Sequence, residues 1–365
     1  MVFRGLKTWL PSDVRKQLAI KNKLVALYEK WSYEPIVVQS LVDLDVINRA
    51  NKKFTDKTFT FLDKDGETLA LRTEMTQPIA KAIAGRAQEL QLPVKLYYNA
   101  SVYRYKGTPT DESREIQQVG IEYVGAKAEE NFSDYEVLQL MIDSIEELGV
   151  SDYQICITDA KIWHSLFAKF NKPVPVISSE ASSSHDLITK AYNLLLKGEF
   201  VAFEKLAVEE SFLKCLYSQE QISLSVPNEE KLKRVEKDLD LDLSHLKSLA
   251  QLSSKIVFAP YQCPDLKLYT GLHFKLLIKG QGNDIAMGGR YDNLYSSFGI
   301  DLPAIGFAFY VQRLISALSN LNLLDNFSTD KLPKKLSPAA KEWRDVYKAA
   351  QLEFEKGANV LICNK

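Results

Sequence analysis

The sequence predicts an α+β fold, an antiparallel sheet flanked by helices and interrupted by a helical insertion. Three observations predict it. β-rich runs pair across polar turns, Phe59–Leu62 with Thr68–Leu71 around DKDG and Lys95–Tyr105 with Glu115–Val124. From about residue 160 to 250 the chain turns to Lys, Glu, Leu and Ser at helical spacing with almost no glycine. Alternating strand and helix at βαβ spacing is absent, as are the phosphate-loop patterns GxGxxG and GxxxxGK[ST].

In chain order, SDVRKQLAIKNKLVALYEKW (12–31) predicts a helix capped by Ser12 or Asp13, with Val14, Leu18, Ile20, Leu24, Leu27 and Tyr28 on its apolar face. Tyr33–Val38 is a short β-rich run. A helix from about Gln77 to Leu90 carries Pro78 in its first turn, where proline is tolerated. An acidic amphipathic helix, Ser133–Leu148, ends at Gly149, and residues 151–158 begin a strand. After the insertion, Tyr269–Lys279 is a strand, GQGN a turn, and Asp284–Met287 a strand leading into GGRYDNL. Leu302–Phe309 is apolar and glycine-punctuated, and Val311–Leu318 is a helix. Ser319–Ser337 reads as polar loop, followed by a helix near Pro338–Lys356 and the apolar end ANVLIC.

The 365 residues suffice for two or three domains, and an apolar fraction of 46% supports ordinary globular cores. With 46 basic and 47 acidic residues the charge nearly cancels, which disfavours a dedicated nucleic-acid binder. Cys156, Cys215, Cys263 and Cys363 lie far apart without a CxxC pair, as expected of thiols in a reducing compartment. The N-terminus has no signal-peptide core, and no window reaches the roughly 20 apolar residues of a membrane span. The expectation is a soluble, cytoplasmic protein without a membrane segment. His164, His185, His245 and His273 are too scattered for a metal site, and SSEASSSH (178–185) is a solvated loop, since GxSxG is absent.

Four clusters carry charge into apolar runs. In LRTEMTQP, Arg72, Glu74 and Thr76 alternate on one side of an extended segment. VYRY holds Arg104. In QQVGIEYVG, Gln118 and Glu122 share a strand face with Gly120 between them, which would let a ligand approach the backbone. AMGGRYDNL places Gly288 and Gly289 before Arg290 and Tyr291. Each cluster alone has an ordinary reading, a solvated strand face or a glycine turn. Their recurrence inside β-branched and aromatic runs favours a ligand, because a buried charge is costly unless paired. Glutamates beside glycines suit an ammonium-bearing ligand, and Arg104 could balance its carboxylate or phosphate.

Taken together, LRTEMTQPIAK, YYNASVYRY…REIQQVGIEYVG, LYTGLHF, GGRYDNL and PAIGFAFYVQRL resemble the core of the class II aminoacyl-tRNA synthetases, in their histidyl branch. The resemblance runs from Gly5–Pro11, where Thr8 replaces an aspartate, to about Leu318. It implies the antiparallel class II sheet and a homodimer. It also implies a histidine pocket: Glu74 and Thr76 at the α-amino group, Gln118 and Glu122 on a second contacting segment, and Arg104 at the carboxylate. Tyr269 with Gly288, Gly289, Arg290 and Tyr291 would line the imidazole end, and Arg313 matches the arginine that holds ATP in active enzymes.

Several positions depart from the synthetases. Pro264 stands where the adenylation arginine of R-G-L-D-Y-Y is expected, with Lys267 at the acidic position after it. Lys106 and Glu112 reverse charges in the second-motif loop, Gln39 replaces a proline, and YVQR carries Gln312 where G-L-E-R has glutamate. Adenylation needs preorganised positive charge, and removing one such group costs roughly a hundredfold or more. Fewer than about fifty residues follow Leu318, against the order of a hundred that a complete anticodon-binding domain would need.

This combination resembles the regulatory subunits of ATP phosphoribosyltransferase, the first step of histidine biosynthesis. It implies no catalytic residue, no cofactor and no metal. The partner would be the short-form catalytic subunit in a hetero-oligomer, with histidine as the small ligand; the loop of Lys106, Glu112 and Arg114 would touch that partner. Two alternatives stand. One is a divergent histidyl-tRNA synthetase or amino-acid-adenylating paralogue, in which Lys267 or Lys106 substitutes for the arginine. The other is a scaffold with a dead pocket.

Overall fold

In the computed structural model the described residues are 7–50, 58–105, 113–126, 132–170, 187–209, 213, 216, 227–327, 334–336, 348, 350–353, 355–356 and 360–362. Helix α1 (Pro11–Lys30) buries Gln17, Ile20, Leu24 and Tyr28. Leu10 is its N-cap and makes no side-chain bond, so neither Ser12 nor Asp13 caps it. Pro11 takes the first turn, where its missing N–H costs nothing. Strands β1 (Glu34–Pro35) and β2 (Leu41–Asp43) and helix α2 (Leu44–Ala50) follow.

The expected hairpin forms from β3 (Thr60–Leu62) and β4 (Thr68–Leu71), and β2 completes a small three-stranded sheet on β4. Its turn is held by Asp63, whose Oδ1 accepts from the N–H of Asp65 and of Glu67, both 2.9 Å. Helix α3 (Thr76–Ala84) is shorter than the sequence suggests. From Gly85 to Pro93 no side chain is fully buried, so no packing sustains the helix toward Leu90.

The main sheet uses β5 (Val94–Tyr103) and β6 (Glu115–Val124), then helix α4 (Phe132–Glu147) and β7 (Tyr153–Asp159). The described helices between β7 and the next strand are α5 (Ala160–Lys169), α6 (Leu187–Lys197), α7 (Phe200–Glu209), α8 (Asn228–Leu239) and α9 (Ser244–Ala250). The chain returns through β8 (Ile256–Phe258), β9 (Leu272–Ile278), β10 (Ala286–Arg290) and β11 (Ala304–Tyr310) to helix α10 (Val311–Asn320). Two strands, β12 (Lys334–Leu336) and β13 (Val360–Ile362), pair in parallel where the sequence suggested only loop and a short apolar end.

Eight strands form the main sheet in the order β1-β5-β6-β11-β10-β9-β7-β8. It is antiparallel from β5 to β7 and parallel only at its two outer pairs. One face carries Val119, Ile121, Phe274, Ile157 and Phe307 into the large core shared with α1, α4 and α10. The other meets a smaller cluster of Met75, Ile79, Tyr98, Tyr291 and Tyr295. Among the described residues no helix is long and apolar enough to cross a membrane.

Two strand limits differ from expectation in a way that matters. β9 begins at Leu272, so Tyr269 precedes the strand, and β10 runs through Gly288 and Gly289, which the sequence suggests as a turn. Both glycines are held by antiparallel pairing on either side, to β9 and to β11.

Candidate ligand site

Strand register assembles the site. A row crosses six strands on one face, Leu96, Glu122, Gly306, Gly289, His273 and Thr158, each opposite the next. A second row beside it holds Tyr98, Gly120, Ala308, Met287, Lys275 and Cys156. Neighbouring strands lie about 4.8 Å apart, so the two glycines of the first row form a floor roughly 10 Å across between polar ends.

The acidic end is the better defined. Glu122 is only 2% exposed. Its Oε1 accepts from the Thr76 hydroxyl at 2.9 Å, while its Oε2 is buried without a hydrogen bond. The hydroxyls of Tyr291 and Tyr295 are likewise buried and unbonded. A methyl on Gly306 would collide with Glu122 Oε2 and lie 3.0 Å from the Tyr291 hydroxyl, so both atoms flank one point above that glycine. Buried polar atoms of this kind ordinarily have partners. Burial pushes the Glu122 carboxyl well above the ordinary glutamate value, the nearby Glu74 charge adds to this, and the Thr76 hydrogen bond opposes it.

Glu74 is held by the start of α3. Its oxygens accept from the N–H of Thr76 (2.9 Å) and of Gln77 (2.8 Å), which a helix N-terminus leaves unpaired. Burial raises its carboxyl too, while those backbone bonds and the Arg104 charge pull it down. Arg104 donates from Nε to the Thr73 carbonyl at 2.9 Å, which sets the guanidinium beside α3. Gln118 is buried on the same face, opposite Ala100 and Tyr310. Thus Glu74, Thr76, Arg104, Glu122 and Tyr291 come together around the start of α3, while Gln118 lies on the same face two rows further along β6.

Of the other expected site residues, Gly288 and Arg290 fall on the opposite side, while Gly289 and Tyr269 stay on this one. The space at Gly120 is filled by Tyr98, whose hydroxyl would lie 2.6 Å from an added methyl; the glycine admits a tyrosine where the sequence suggested a ligand. Gly288 faces the opposite side, against Phe274 and Phe307. Arg290 points there as well, where its Nε donates to Asp134 Oδ1 (2.9 Å) and its Nη2 to Ser133 Oγ (2.7 Å). A second contact joins Arg290 Nη2 to Asp134, and Arg290 Nη1 meets Asp292 Oδ1 at 3.1 Å. Period-two alternation puts Gly289 on the pocket face and its two neighbours behind it. Tyr269 covers Gly289, where an added methyl would meet its ring at 2.7 Å, and it packs edge-on against His273 with centroids 4.6 Å apart.

Arg114 stacks over Tyr105 at 5.4 Å, and Tyr105 packs on Phe59; Lys106 and Glu112 lie outside the described residues. Gln312 closes the end of β6, accepting from the Gln117 N–H at 3.1 Å. Arg313 pairs with Asp284 Oδ1 at 3.2 Å and lies over Tyr310 at 4.3 Å. At the position of the synthetase arginine, the Pro264 carbonyl accepts from the Tyr192 hydroxyl at 3.3 Å, tying that segment to α6. Sequence reasoning missed Tyr98 and Thr158 and gave Tyr295 no role. The only signal for Tyr295 was its four-residue spacing from Tyr291. Among the described residues no three His, Cys, Asp or Glu side chains are grouped to hold a metal.

Gly306→Ala is expected to cost about 1–3 kcal/mol, since the methyl meets the Ile121 carbonyl and Glu122 in a packed row. Urea denaturation measures this; a loss below roughly 0.5 kcal/mol, the range of neutral surface changes, would mean the row is open at that point.

Comparison with known proteins agrees with this architecture. The sequence model of the histidyl-tRNA synthetase family matches residues 5–314. An ATP phosphoribosyltransferase regulatory subunit of Caldanaerobacter subterraneus subsp. tengcongensis is 30% identical, over 86% of this chain and 82% of the relative. A histidine–tRNA ligase of Methanocaldococcus jannaschii is 28% identical, over 88% of this chain and 76% of the relative. A crystal structure from Bacillus halodurans, titled an ATP phosphoribosyltransferase regulatory subunit/histidyl-tRNA synthetase, superimposes with a TM-score of 0.79. It covers 100% of this chain and 92% of that one, and at 19% identity it supports the fold alone. With a matching core, a matching sheet and a relative of this identity among the regulatory subunits, the chain belongs to the histidyl-tRNA synthetase family, in its group of ATP phosphoribosyltransferase regulatory subunits.

Proposed function

We propose that this protein is the regulatory subunit of an ATP phosphoribosyltransferase, that it binds histidine at the acidic end of the glycine row, and that it does not adenylate amino acids. The observation that carries the ligand is the buried, unbonded Oε2 of Glu122 beside the unbonded Tyr291 hydroxyl. An imidazole donates from one ring nitrogen and accepts at the other, so it suits a carboxylate and a phenol placed together. Glu74, Thr76 and Gln118 then face the α-amino group, and Arg104 the carboxylate, as a charge-assisted pair.

The loss of adenylation is supported by Pro264. An arginine there would place positive charge at the reacting phosphate, and a proline places none. Arg313 is also drawn to Asp284 and Tyr310. The working form is a homodimer inside a cytoplasmic hetero-oligomer with a short catalytic subunit, to which the loop of Lys106, Glu112 and Arg114 adds a contact. Histidine regulates the complex only to the extent that it prefers one of its states, and a tenfold preference is about 1.4 kcal/mol.

The test mixes the purified chain with a short catalytic subunit and follows phosphoribosyl transfer with and without histidine, with histidine-dependent ATP–pyrophosphate exchange run on the same preparation. Transfer that needs this chain and falls with histidine, without exchange, is the expected result. Exchange above background, lost in Arg104→Ala, would establish a divergent synthetase instead. No histidine binding in calorimetry would leave only a scaffold.

A further inference from the structure

The far end of the glycine row holds groups that histidine recognition does not use. Thr158 and His273 face each other on β7 and β9, and both are buried, at 0% and 1% exposure. Thr158 Oγ1 and His273 Nδ1 form no hydrogen bond, with each other or with anything else. Beside them, Cys156 is opposite Lys275 in the next row. Gln262, with its Oε1 unbonded, reaches Cys156 from the segment after β8. Above this corner α8 sends down Lys231, which is 1% exposed.

A lysine taken out of water calls for an anion. Among the described residues neither Lys231 nor Lys275 forms an ion pair or a hydrogen bond, while the other ion-paired lysines meet carboxylates. The charge acting on Lys231 comes from Cys156. That thiol cannot serve as the counter-ion, because burial pushes it up to about 11 even against the pull of Lys275 and Lys231. Burial lowers the Lys231 ammonium, the response of a cation whose partner is missing. The corner therefore offers two positive charges, a hydroxyl, a ring nitrogen and an amide, with no acid among the described residues to balance them.

We infer that this corner is an oxyanion subsite for a dianionic phosphate or phosphate monoester, with Lys231 and Lys275 supplying the charge and Thr158, His273 and Gln262 the hydrogen bonds. Two ammonium groups match a dianion better than a carboxylate, and a tetrahedral oxyanion accepts from several directions at once. The subsite lies across Tyr269 and Gly289 from Glu122, on the same face. It stands independently of the histidine reading, which uses the opposite end of the row.

The experiment titrates the full chain with inorganic phosphate, with glycerol 3-phosphate and with acetate by calorimetry, at constant ionic strength. One phosphate per chain should bind, acetate at least tenfold more weakly. Lys231→Met keeps the length and removes a desolvated charge, so it folds; it should weaken phosphate at least tenfold and leave histidine binding unchanged. Thr158→Val, nearly the same shape, should weaken phosphate several-fold. Phosphate that fails to bind the wild type, or binds Lys231→Met equally well, overturns the proposal. Acetate as tight as phosphate overturns the dianion assignment. Loss of phosphate binding in Lys231→Met with histidine binding intact separates this site from the acidic end.

Discussion

Glu122→Gln is expected to lose histidine binding by at least about a hundredfold while making the free protein more stable at neutral and higher pH. The two effects have one cause. Glu122 is buried beside Glu74, and its carboxyl titrates well above the ordinary 4.5. A carboxyl raised in the folded state holds more protons there than in the unfolded chain, so stability falls as pH rises from the unfolded value through the folded one. Glutamine cannot ionise and escapes this loss. The two proteins should be equally stable near pH 4.5, and across that interval the variant should gain ~1.4 kcal/mol for every pH unit climbed. Binding runs the other way, because the imidazole N–H donates to the ionised carboxylate in a charge-assisted bond that glutamine cannot supply. Histidine binding should accordingly release a proton, visible as a dependence of the calorimetric heat on buffer ionisation enthalpy. Equal stability at pH 8, or retained histidine affinity, would show that Glu122 is a satisfied core residue.

Asp134→Asn should be the most damaging single change outside the pocket, at about 3–5 kcal/mol, the usual result of leaving a buried charge uncompensated. Asp134 and Arg290 are 2% and 8% exposed at their side chains and are joined by hydrogen bonds from Nε and Nη2. The other oxygen of Asp134 meets His245 Nε2 at 2.8 Å, so α4, β10 and α9 meet at one carboxylate. Without it, Arg290 retains Asp292, whose side chain is 29% exposed, and the Ser133 hydroxyl. Replacing both partners, Asp134→Leu with Arg290→Met, should recover most of the loss, since no charge is then stranded. Urea denaturation decides it. An Asp134→Asn protein as stable as wild type but unable to bind histidine would restore Arg290 to the pocket, where the sequence had suggested it.

That misplacement shows where sequence reasoning stops. GGRYDNL has the composition of a turn, and in a turn the alternation of side chains carries no information. Once β10 is seen to run from Ala286 to Arg290, period two assigns Gly289 to the pocket and Gly288 and Arg290 to the helices behind it. The same rule served well on β6, where the strand was legible and Gln118 and Glu122 were correctly placed on one face. The limits of α3 and the β12–β13 pair were less legible, because burial and long-range pairing set them, and neither is local.

By itself the sequence determined the strand runs, the spacing of Gln118 and Glu122, the α3 segment carrying Glu74 and Thr76, and the family, since these are local patterns or ordered motifs. Only the tertiary structure decided which polar groups meet. Glu122, Gly306, Gly289, His273 and Thr158 are scattered over the chain, and antiparallel register alone sets them in one row. The consequences follow from that register: a carboxylate with an unbonded oxygen at one end, the buried Lys231 and half-buried Lys275 near the other, and glycines between them roofed by Tyr269, Tyr291 and Glu122. Burial gives those groups their chemistry, because a charge withdrawn from water must find a counter-charge or change its protonation.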